Sequence, residues 1–240
     1  MPDLKTYFIS IIIPAYNEEL HIEKLLKSIK SQDFNNYEII VVDNNSSDNT
    51  SKIAEKYAKV VKETTKGVSI ARNTGAKSAK GDILLFLDAD GELCEGVLNR
   101  VNNAFLNREV VAATGKIIPL EKTGMLIKMF YKFNYVYLVK FSMLIKKPSF
   151  IGVNIAIRSD IFRKIGGFNE QFKNYDDCDL TIRASRFGKE VFDKKWVVKA
   201  SARRITSMGF RKYLKFTTSN LISYYFLHKP KEYPQIKFNQ

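Results

Sequence analysis

The sequence predicts an α/β domain with a mostly parallel sheet, helices on both of its faces, and a helical C-terminal extension. Short apolar runs alternate with helical patterns through the first half of the chain. These runs are continuously apolar, which is typical of parallel strands that are buried on both faces. With 240 residues, 45% of them hydrophobic, the chain can form one domain with a sizeable core.

The first half supplies the strands of the parallel sheet. "ISIIIP" and "EIIVVD" predict strands at about 10–14 and 38–43, and "ILLFL" predicts another at 83–87, with the short runs "KVVKE" and "VVAATG" between and after them. Helices are predicted over 17–31, after the capping residues Ser47 and Asp48, near 69–79 and near 95–107. Because ligands bind beyond the carboxyl ends of parallel strands, the loops after these strands are the expected site.

The second half is less regular. Residues 124–145 predict one long helix, and "FIGVNIAIRSDIFRKIGGFNE" predicts a strand, a short helix and a Gly-Gly turn. "YDDCDLTIRASRFG" predicts a helix with three carboxylates in its first turn, ending at Gly188.

The net charge of +14 is concentrated in two segments. Residues 121–150 hold six lysines and one acid, and residues 196–240 hold nine basic residues and one acid. A localised excess of this kind indicates an anionic partner such as a phosphate, a nucleic acid or a membrane surface. The two cysteines show no metal-ligand spacing and the first residues do not resemble a signal peptide, so we expect a cytoplasmic protein.

Acidic residues follow the apolar strands. Asp88 and Asp90 directly follow 83–87, and two carboxylates on one turn suit Mg²⁺ or Mn²⁺, with Glu92 as a third ligand. Asp43 ends its strand as an acceptor for a nucleobase N–H, and Arg72 could donate to a base carbonyl or a phosphate. Such a pair suits uracil, thymine or guanine. The plainer alternative is that strand ends are polar because loops are polar.

The cluster Asp176, Asp177 and Asp179 lies at a predicted helix N-terminus, where simple capping is the alternative to a function. Mutual repulsion among three carboxylates raises the pKa of at least one of them, which prepares a general base. Both interpretations stay open from the residues alone.

Five blocks together resemble the family 2 glycosyltransferases: "SIIIPAYNEELHIEKLLKSI", "EIIVVDNNSSDNT", "GVSIARNTGAKSAKGDILLFLDAD", "IGGFNE" and "DDCDL". The match runs from Ser10 to Arg186. It implies a GT-A fold with a Rossmann-like sheet, a nucleotide-diphospho-sugar donor with UDP favoured and GDP as the other option, a Mg²⁺ or Mn²⁺ ion, and inversion at the anomeric carbon. The implied activity is a hexosyl or N-acetylhexosaminyl transfer.

The resemblance also implies roles for individual residues. Asp88 lies near the ribose and the metal, Asp90 is the principal metal ligand, and Asp177 is the base, preceded by Asp176. The nucleotide pocket is lined by Pro14, Ala15, Tyr16 and Glu18, with Asp43 holding the base and Arg72 assisting, and Gly152 and Asn154 are assigned to the acceptor. Many relatives carry a histidine after the acidic pair, which this chain lacks, so Arg203 and Arg204 are expected to meet the diphosphate.

We expect a single domain in which 1–119 binds the nucleotide-sugar, 120–206 binds the acceptor, and 207–240 is a basic amphipathic extension. The acceptor is expected to be a hydroxyl or a phosphate, lipid-linked or on a cell-surface glycan. Lys128, Lys132 and Lys140 within 124–145, and Lys146 just after it, share about a third of the helix circumference, with an apolar face opposite. That face contains Met125, Phe130, Phe133, Tyr137, Phe141 and Leu144. It suits an anionic membrane surface on the inner side of the cell membrane, or alternatively packing on the sheet.

Two other classes of protein compete with this interpretation. A nucleic-acid-binding protein accounts for the basic charge but not for the acidic strand ends, so we expect no nucleic-acid partner. A catalytically inactive sugar-nucleotide-binding subunit would not need Asp88, Asp90 and Asp177 together.

Overall fold

The computed structural model describes residues 6–172 and 174–227, with side chains up to residue 220. Its centre is one eight-stranded sheet with the order β3-β2-β1-β4-β7-β6-β8-β5. The strands are β1 Ile9–Ala15, β2 Tyr37–Asp43, β3 Lys59–Lys62, β4 Ile83–Leu87, β5 Gly91–Leu93, β6 Val110–Pro119, β7 Asn154–Arg158 and β8 Lys189–Ala200.

The helices cover both faces of this sheet. They are α1 Ile22–Lys30, α2 Thr50–Ala54, α3 Val68–Ser78, α4 Val97–Ala104, α5 Met125–Lys132, α6 Val139–Leu144, α7 Ser159–Lys164, α8 Asp176–Ala184, α9 Arg203–Met208 and α10 Phe210–Leu227. A π-helical segment, Phe133–Leu138, joins α5 to α6.

The first four strands in space, β3-β2-β1-β4, are all parallel, as the continuous apolar runs predict. Successive side chains of β1 enter opposite cores. Ile11 and Ile13 belong to the core that includes α1 and α4, and Ile12 belongs to the core that includes α3 and α8. Helices on both faces explain why these strands carry no polar face.

The other half of the sheet is mixed. β7 is antiparallel to β4 and β6, whereas β8 is parallel to β6 and antiparallel to β5. The three-residue β5 is not indicated by the sequence. It begins three residues after Asp88 and forms the edge strand of the sheet beside β8.

The helical run from Met125 to Leu144 is confirmed, with the π-helical segment as an interruption. Its inner side packs in two places. Phe130 contacts the rings of Phe210 and Tyr213 in α10, and Val139 packs with the core around β6. Of the C-terminal extension, α9 and α10 are described, and residues 228–240 lie outside the described residues. No helix in the described ranges is long and apolar enough to span a bilayer.

Candidate active site

The carboxyl ends of three neighbouring parallel strands form one edge of the sheet. Ala15 at the end of β1 is in register with Asp43 at the end of β2, and β4 on the other side of β1 ends just before Asp88. The structure therefore brings together the three polar strand ends that the sequence places separately.

The end of β2 organises the loop that leads into α3. Asp43 is buried, and its Oδ1 accepts a hydrogen bond from the Ser46 N–H at 3.0 Å. The Asn44 amide donates to the carbonyls of Glu63 and Thr65 and accepts from the Gly67 N–H at 2.9 Å. Asn44 thus has a structural role here, because it ties the end of β2 to the segment before α3.

Tyr16 presents the exposed aromatic surface after β1. Its side chain is 49% exposed, and the ammonium of Lys66 lies 5.2 Å from the ring centroid. Pro14 and Ala15 lie directly before it in β1. This segment is the exposed wall of the edge that also carries Asp43.

Arg72 lies deeper than its expected role beside a nucleobase requires. Its guanidinium is 5% exposed and bridges two carboxylates, donating to Asp176 Oδ2 and to Asp88 Oδ1 at 3.0 Å each. The Ser69 hydroxyl donates to the same Asp176 oxygen at 2.9 Å. In this structure Arg72 joins the acids after β4 to the acids of α8, because a buried guanidinium needs carboxylate partners, and its role beside the nucleobase stays a prediction.

Asp177 faces the loop before β7. Its Oδ2 accepts a hydrogen bond from the Gly152 N–H at 2.7 Å, and its Oδ1 accepts one from the Cys178 N–H at 2.8 Å. Burial, followed by the charge of Asp176, raises the pKa of Asp177 to about 6. Of the three clustered acids, Asp179 instead pairs with Arg183, which also holds the carbonyls of Ile165 and Gly167.

Glu18 and Asp90 both form ion pairs with Arg203. Arg203 donates to Glu18 Oε1, and its Nε lies 3.1 Å from Asp90 Oδ2. Burial, followed by the charge of Asp88, raises the pKa of Asp90 to about 6, and burial also raises the pKa of Glu18. Arg204 is exposed, and its charge still lowers the pKa of Asp90, which places it near the same cluster.

Two predicted site residues lie elsewhere. Glu92 is in β5 opposite Lys199, and its two oxygens form ion pairs with Lys24 and Lys199 at 2.8 and 2.5 Å. It therefore does not serve as a third metal ligand in this structure. Asn154 is fully buried on β7 opposite Leu87, so it offers no surface to an acceptor. Gly152, in contrast, lies against both Asp177 and Arg72.

Several residues at the site were not identified from the sequence. Glu121 accepts from the Ser201 hydroxyl at 2.5 Å and from the Ala202 N–H at 2.7 Å, which fixes the start of α9 beside the acids. Burial, then the charge of Arg203, lowers the pKa of His21, so this residue lies within electrostatic range of the cluster.

Asn73, next to Arg72, holds the backbone of Phe168 through two hydrogen bonds of 2.9 Å. Its position beside Arg72 in "ARN" is the feature of the sequence that could have indicated this role.

The carboxylates of this cluster are the candidate ligands for a divalent cation. Within the described ranges, no three His, Cys, Asp or Glu side chains are close enough to hold an ion by themselves. However, Glu18 Oε2 is buried without a hydrogen-bond partner, and Asp90, a half-buried carboxylate, contacts the same guanidinium of Arg203. Magnesium commonly takes one or two protein carboxylates and completes its shell with water and substrate phosphates. The residues therefore fit a cation that is shared with a diphosphate.

Curated relatives of this chain are glycosyltransferases. Glycosyltransferase AglE of Haloferax volcanii is 29% identical over 191 residues, which cover 75% of this chain and 62% of AglE. The GalNAc(5)-diNAcBac-PP-undecaprenol beta-1,3-glucosyltransferase of Campylobacter jejuni is 34% identical over 130 residues, covering 51% of this chain and 41% of the relative. The chain thus spans less than two thirds of the length of either relative.

Solved structures share the fold. S. aureus TarS 1-349, in complex with UDP-GlcNAc, aligns with a TM-score of 0.65 at 25% identity over 80% of this chain and 58% of TarS 1-349. The mannosyltransferase PcManGT from Pyrobaculum calidifontis, in complex with GDP-Man and Mn²⁺, aligns with a TM-score of 0.67 at 20% identity over 98% of this chain and 68% of PcManGT. The GT-A fold is therefore confirmed. The family model "Glycosyl transferase family 2" matches residues 10–166, and the chain belongs to that family.

Proposed function

We propose that this chain transfers a hexose or N-acetylhexosamine from a nucleotide-diphospho-sugar to a hydroxyl or phosphate acceptor, with inversion and without a covalent intermediate. The observation that supports this most directly is the set of ion pairs at the carboxyl edge of the sheet. Arg203 joins Glu18 to Asp90, and Arg72 joins Asp88 to Asp176, the neighbour of Asp177. The acids that we propose for the cation and the acid that we propose as the base thus lie at the same edge of the sheet.

Asp177 would act on the acceptor. With a raised pKa it is ionised near neutral pH, yet basic enough to take a proton from an attacking hydroxyl. The acceptor oxygen forms a bond to the anomeric carbon while the bond from that carbon to the diphosphate breaks on the opposite side. The hydroxyl proton moves to Asp177, and a phosphate acceptor would need only to be oriented there.

Asp90 and Glu18, with Asp88 behind them, would hold the divalent cation, Mg²⁺ or Mn²⁺. When bound, this ion supplies positive charge that stabilises the departing diphosphate. Arg203 contacts both acids and the charge of Arg204 acts on Asp90, and a planar guanidinium matches phosphate oxygens well.

A UDP-sugar is the favoured donor, with a GDP-sugar as the other candidate. The carboxylate of Asp43 at the end of β2 would accept a hydrogen bond from the imide N–H of uracil or the N–H groups of guanine. TarS, which shares the fold at 25% identity, binds UDP-GlcNAc in its complex, which supports a uridine nucleotide. PcManGT supports the fold alone.

We further propose that the acceptor is carried on a membrane lipid or belongs to a cell-envelope glycan. The Campylobacter jejuni relative is named for an undecaprenol-linked substrate. In this chain, the outer side of residues 125–145 leaves eight large apolar side chains exposed: Met125, Leu126, Met129, Phe133, Tyr137, Phe141, Leu144 and Ile145. We call this surface the apolar stripe. Exposed apolar surface of this extent is typical of an interaction site.

The π-helical segment helps to keep the apolar stripe straight. Met129, Phe133, Tyr137 and Phe141 are four residues apart, which is slightly more than one turn of an α-helix. In the π-helical segment, which has more residues per turn, the same spacing falls slightly short of one turn. The two drifts oppose each other, so the stripe stays on the solvent side along the whole run.

The lysines are exposed beside the stripe and not on an opposite face as expected: the ammonium of Lys132 lies 5.9 Å from the ring centroid of Tyr137. Lys128, Lys132 and Lys140 are exposed, whereas Phe130 is buried against α10. The expectation that Phe130 lies on the free apolar face is therefore corrected. Exposed rings flanked by lysines suit an anionic lipid interface, where each Lys contributes on the order of 1 kcal/mol. We accordingly propose a cytoplasmic protein that is peripheral on the inner face of the membrane. We also propose that residues 1–119 bind the donor, that residues 120–206 bind the acceptor, and that residues 207–240 are a C-terminal extension.

A panel of nucleotide-sugars tests the central proposal. Thermal unfolding of the full chain is followed with each UDP- and GDP-sugar, with and without Mn²⁺. We expect the correct donor to raise Tm only when Mn²⁺ is present, and the Asp90→Ala variant to lose this increase. Donor binding without transfer to any acceptor would favour the inactive binding subunit instead.

A further inference from the structure

The guanidinium of Arg203 occupies the position between Glu18 and Asp90. It donates to Glu18 Oε1, and its Nε is 3.1 Å from Asp90 Oδ2. The side chains of Glu18 and Asp90 are 13% and 19% exposed, so the chain has placed an internal positive charge where the donor set fits a divalent cation. Two cations cannot occupy such a position together, because their repulsion in a poorly hydrated site is large.

Arg203 does not satisfy the whole of this site. Glu18 Oε2 is buried and has no hydrogen-bond partner in the part of the chain that the structure describes. A buried carboxylate oxygen without a partner is costly. The pair of acids therefore has binding capacity left over beyond what the guanidinium uses.

The backbone before Arg203 is held by hydrogen bonds, whereas its side chain is partly exposed to solvent. Glu121 holds Ser201 and Ala202 through hydrogen bonds of 2.5 and 2.7 Å, and Ile205 is buried in the core that α9 shares with α5 and α10. The Arg203 side chain is still 25% exposed. Because the anchor lies in the backbone before α9, the guanidinium can leave the acids by side-chain rotation without unfolding the helix.

We propose that Arg203 is a positioning residue that holds Glu18 and Asp90 in the donor-free enzyme and yields them to the divalent cation when the nucleotide diphosphate arrives. The released guanidinium then pairs with the diphosphate. This inference rests on the proposed metal-dependent transfer. Its consequence is an order of binding: without a nucleotide the cation competes with Arg203 and binds weakly, and with a nucleotide the displaced arginine gains a new anionic partner.

Direct measurement of Mn²⁺ binding tests this inference. Free Mn²⁺ is followed by electron paramagnetic resonance during titration of the full chain, with and without UDP. The variant Arg203→Met keeps much of the side-chain length and removes the charge, and Arg203→Lys keeps the charge without the planar fork. Arg211→Ala, an exposed arginine at the start of α10, is the matched control.

Without UDP, we expect Arg203→Met to bind Mn²⁺ at least about tenfold more tightly than the unmodified chain, because the competing charge is gone. We expect Arg203→Lys to fall between them and Arg211→Ala to match the unmodified chain. Addition of UDP should increase Mn²⁺ affinity far more in the unmodified chain than in Arg203→Met, since only there is an arginine released to the diphosphate.

Two results would overturn the inference, and they differ. In the first, UDP promotes Mn²⁺ binding, but Arg203→Met and the unmodified chain bind Mn²⁺ equally without UDP. Arg203 then does not compete with the cation for Glu18 and Asp90, and only this inference fails. If no variant binds Mn²⁺ even with UDP or GDP, the proposed metal dependence fails as well, and Arg203 is then a permanent substitute for the ion.

Discussion

The backbone N–H of Gly152 donates a hydrogen bond of 2.7 Å to Oδ2 of Asp177. Gly152 also lies against Arg72: a Cβ atom at this position would be 2.3 Å from the Arg72 guanidinium. The loop before β7 therefore orients the proposed base with its backbone and covers the buried arginine. A side chain larger than hydrogen at position 152 therefore requires the Arg72 guanidinium to shift.

The first prediction concerns the proposed base. Asp177→Asn keeps the shape of the side chain but removes its ability to accept a proton, so the rate of transfer should fall by roughly 10²-fold or more. Binding of the donor, measured by titration calorimetry, should be nearly unchanged. Asp160→Asn, an exposed carboxylate on α7, is the control. Near-normal turnover of Asp177→Asn with a hydroxyl acceptor would remove Asp177 from this role.

The second prediction concerns pH. Burial and Asp176 raise the pKa of Asp177 to about 6, and only its ionised form can act as a base. Transfer should therefore be constant at higher pH and fall as the pH decreases through about 6. The profile of kcat/KM reports this titration for the free enzyme, together with that of Asp90, whose pKa burial also raises to about 6. A profile that stays flat down to pH 4.5 would contradict the assignment.

The third prediction concerns stability. Gly152→Ala forces a methyl group against the Arg72 guanidinium, and overpacking of this kind costs about 1–3 kcal/mol in the free energy of unfolding. Denaturant titration measures the change. Gly124→Ala is the matched control, because a Cβ there meets no atom within 4 Å, and we expect an effect within about 0.5 kcal/mol. Equal effects at the two glycines would mean that Arg72 is not held beneath Gly152.

The fourth prediction concerns the apolar stripe. The full chain should co-sediment with liposomes that contain anionic lipid at low salt and be released at high salt. Replacing Phe133, Tyr137 and Phe141 together by alanine should weaken this binding at least about tenfold, because the rings bury apolar surface in the interface. Leu106→Ala, a partly exposed leucine on another surface, should bind like the unmodified chain. If the unmodified chain does not bind anionic liposomes at low salt, the apolar stripe is not a lipid-binding surface. A protein surface then covers it.

The local features of the fold could be predicted from the sequence because they depend on neighbouring residues. β4 is five consecutive buried apolar residues followed directly by Asp88, and this pattern predicts both a strand and a site. The same holds for β1 and β2. Glu92 shows the limit of such reasoning: its spacing from Asp90 suits a ligand, but β5 pairs with β8 and brings Lys199 to it.

The long-range contacts could not be predicted, because no local pattern specifies them. Arg203 and Glu18 are 185 residues apart in the chain, and Arg72 and Asp176 are 104 apart. Each of these residues, taken alone, resembles an ordinary surface charge. Only the path of the chain across the sheet decides that Arg72 is buried between two acids rather than free to meet a nucleobase.

The position of β4 in the sheet has a consequence for the synthesis of the chain on the ribosome. β4 lies between β1 and β7, and β7 ends at residue 158. After β1 to β4 have emerged, about seventy more residues must be synthesised before the second partner of β4 exists. Until then β4 is a fully apolar edge strand, the kind of edge that pairs with other chains. Nascent chains that stall in this interval are therefore those most in need of a chaperone.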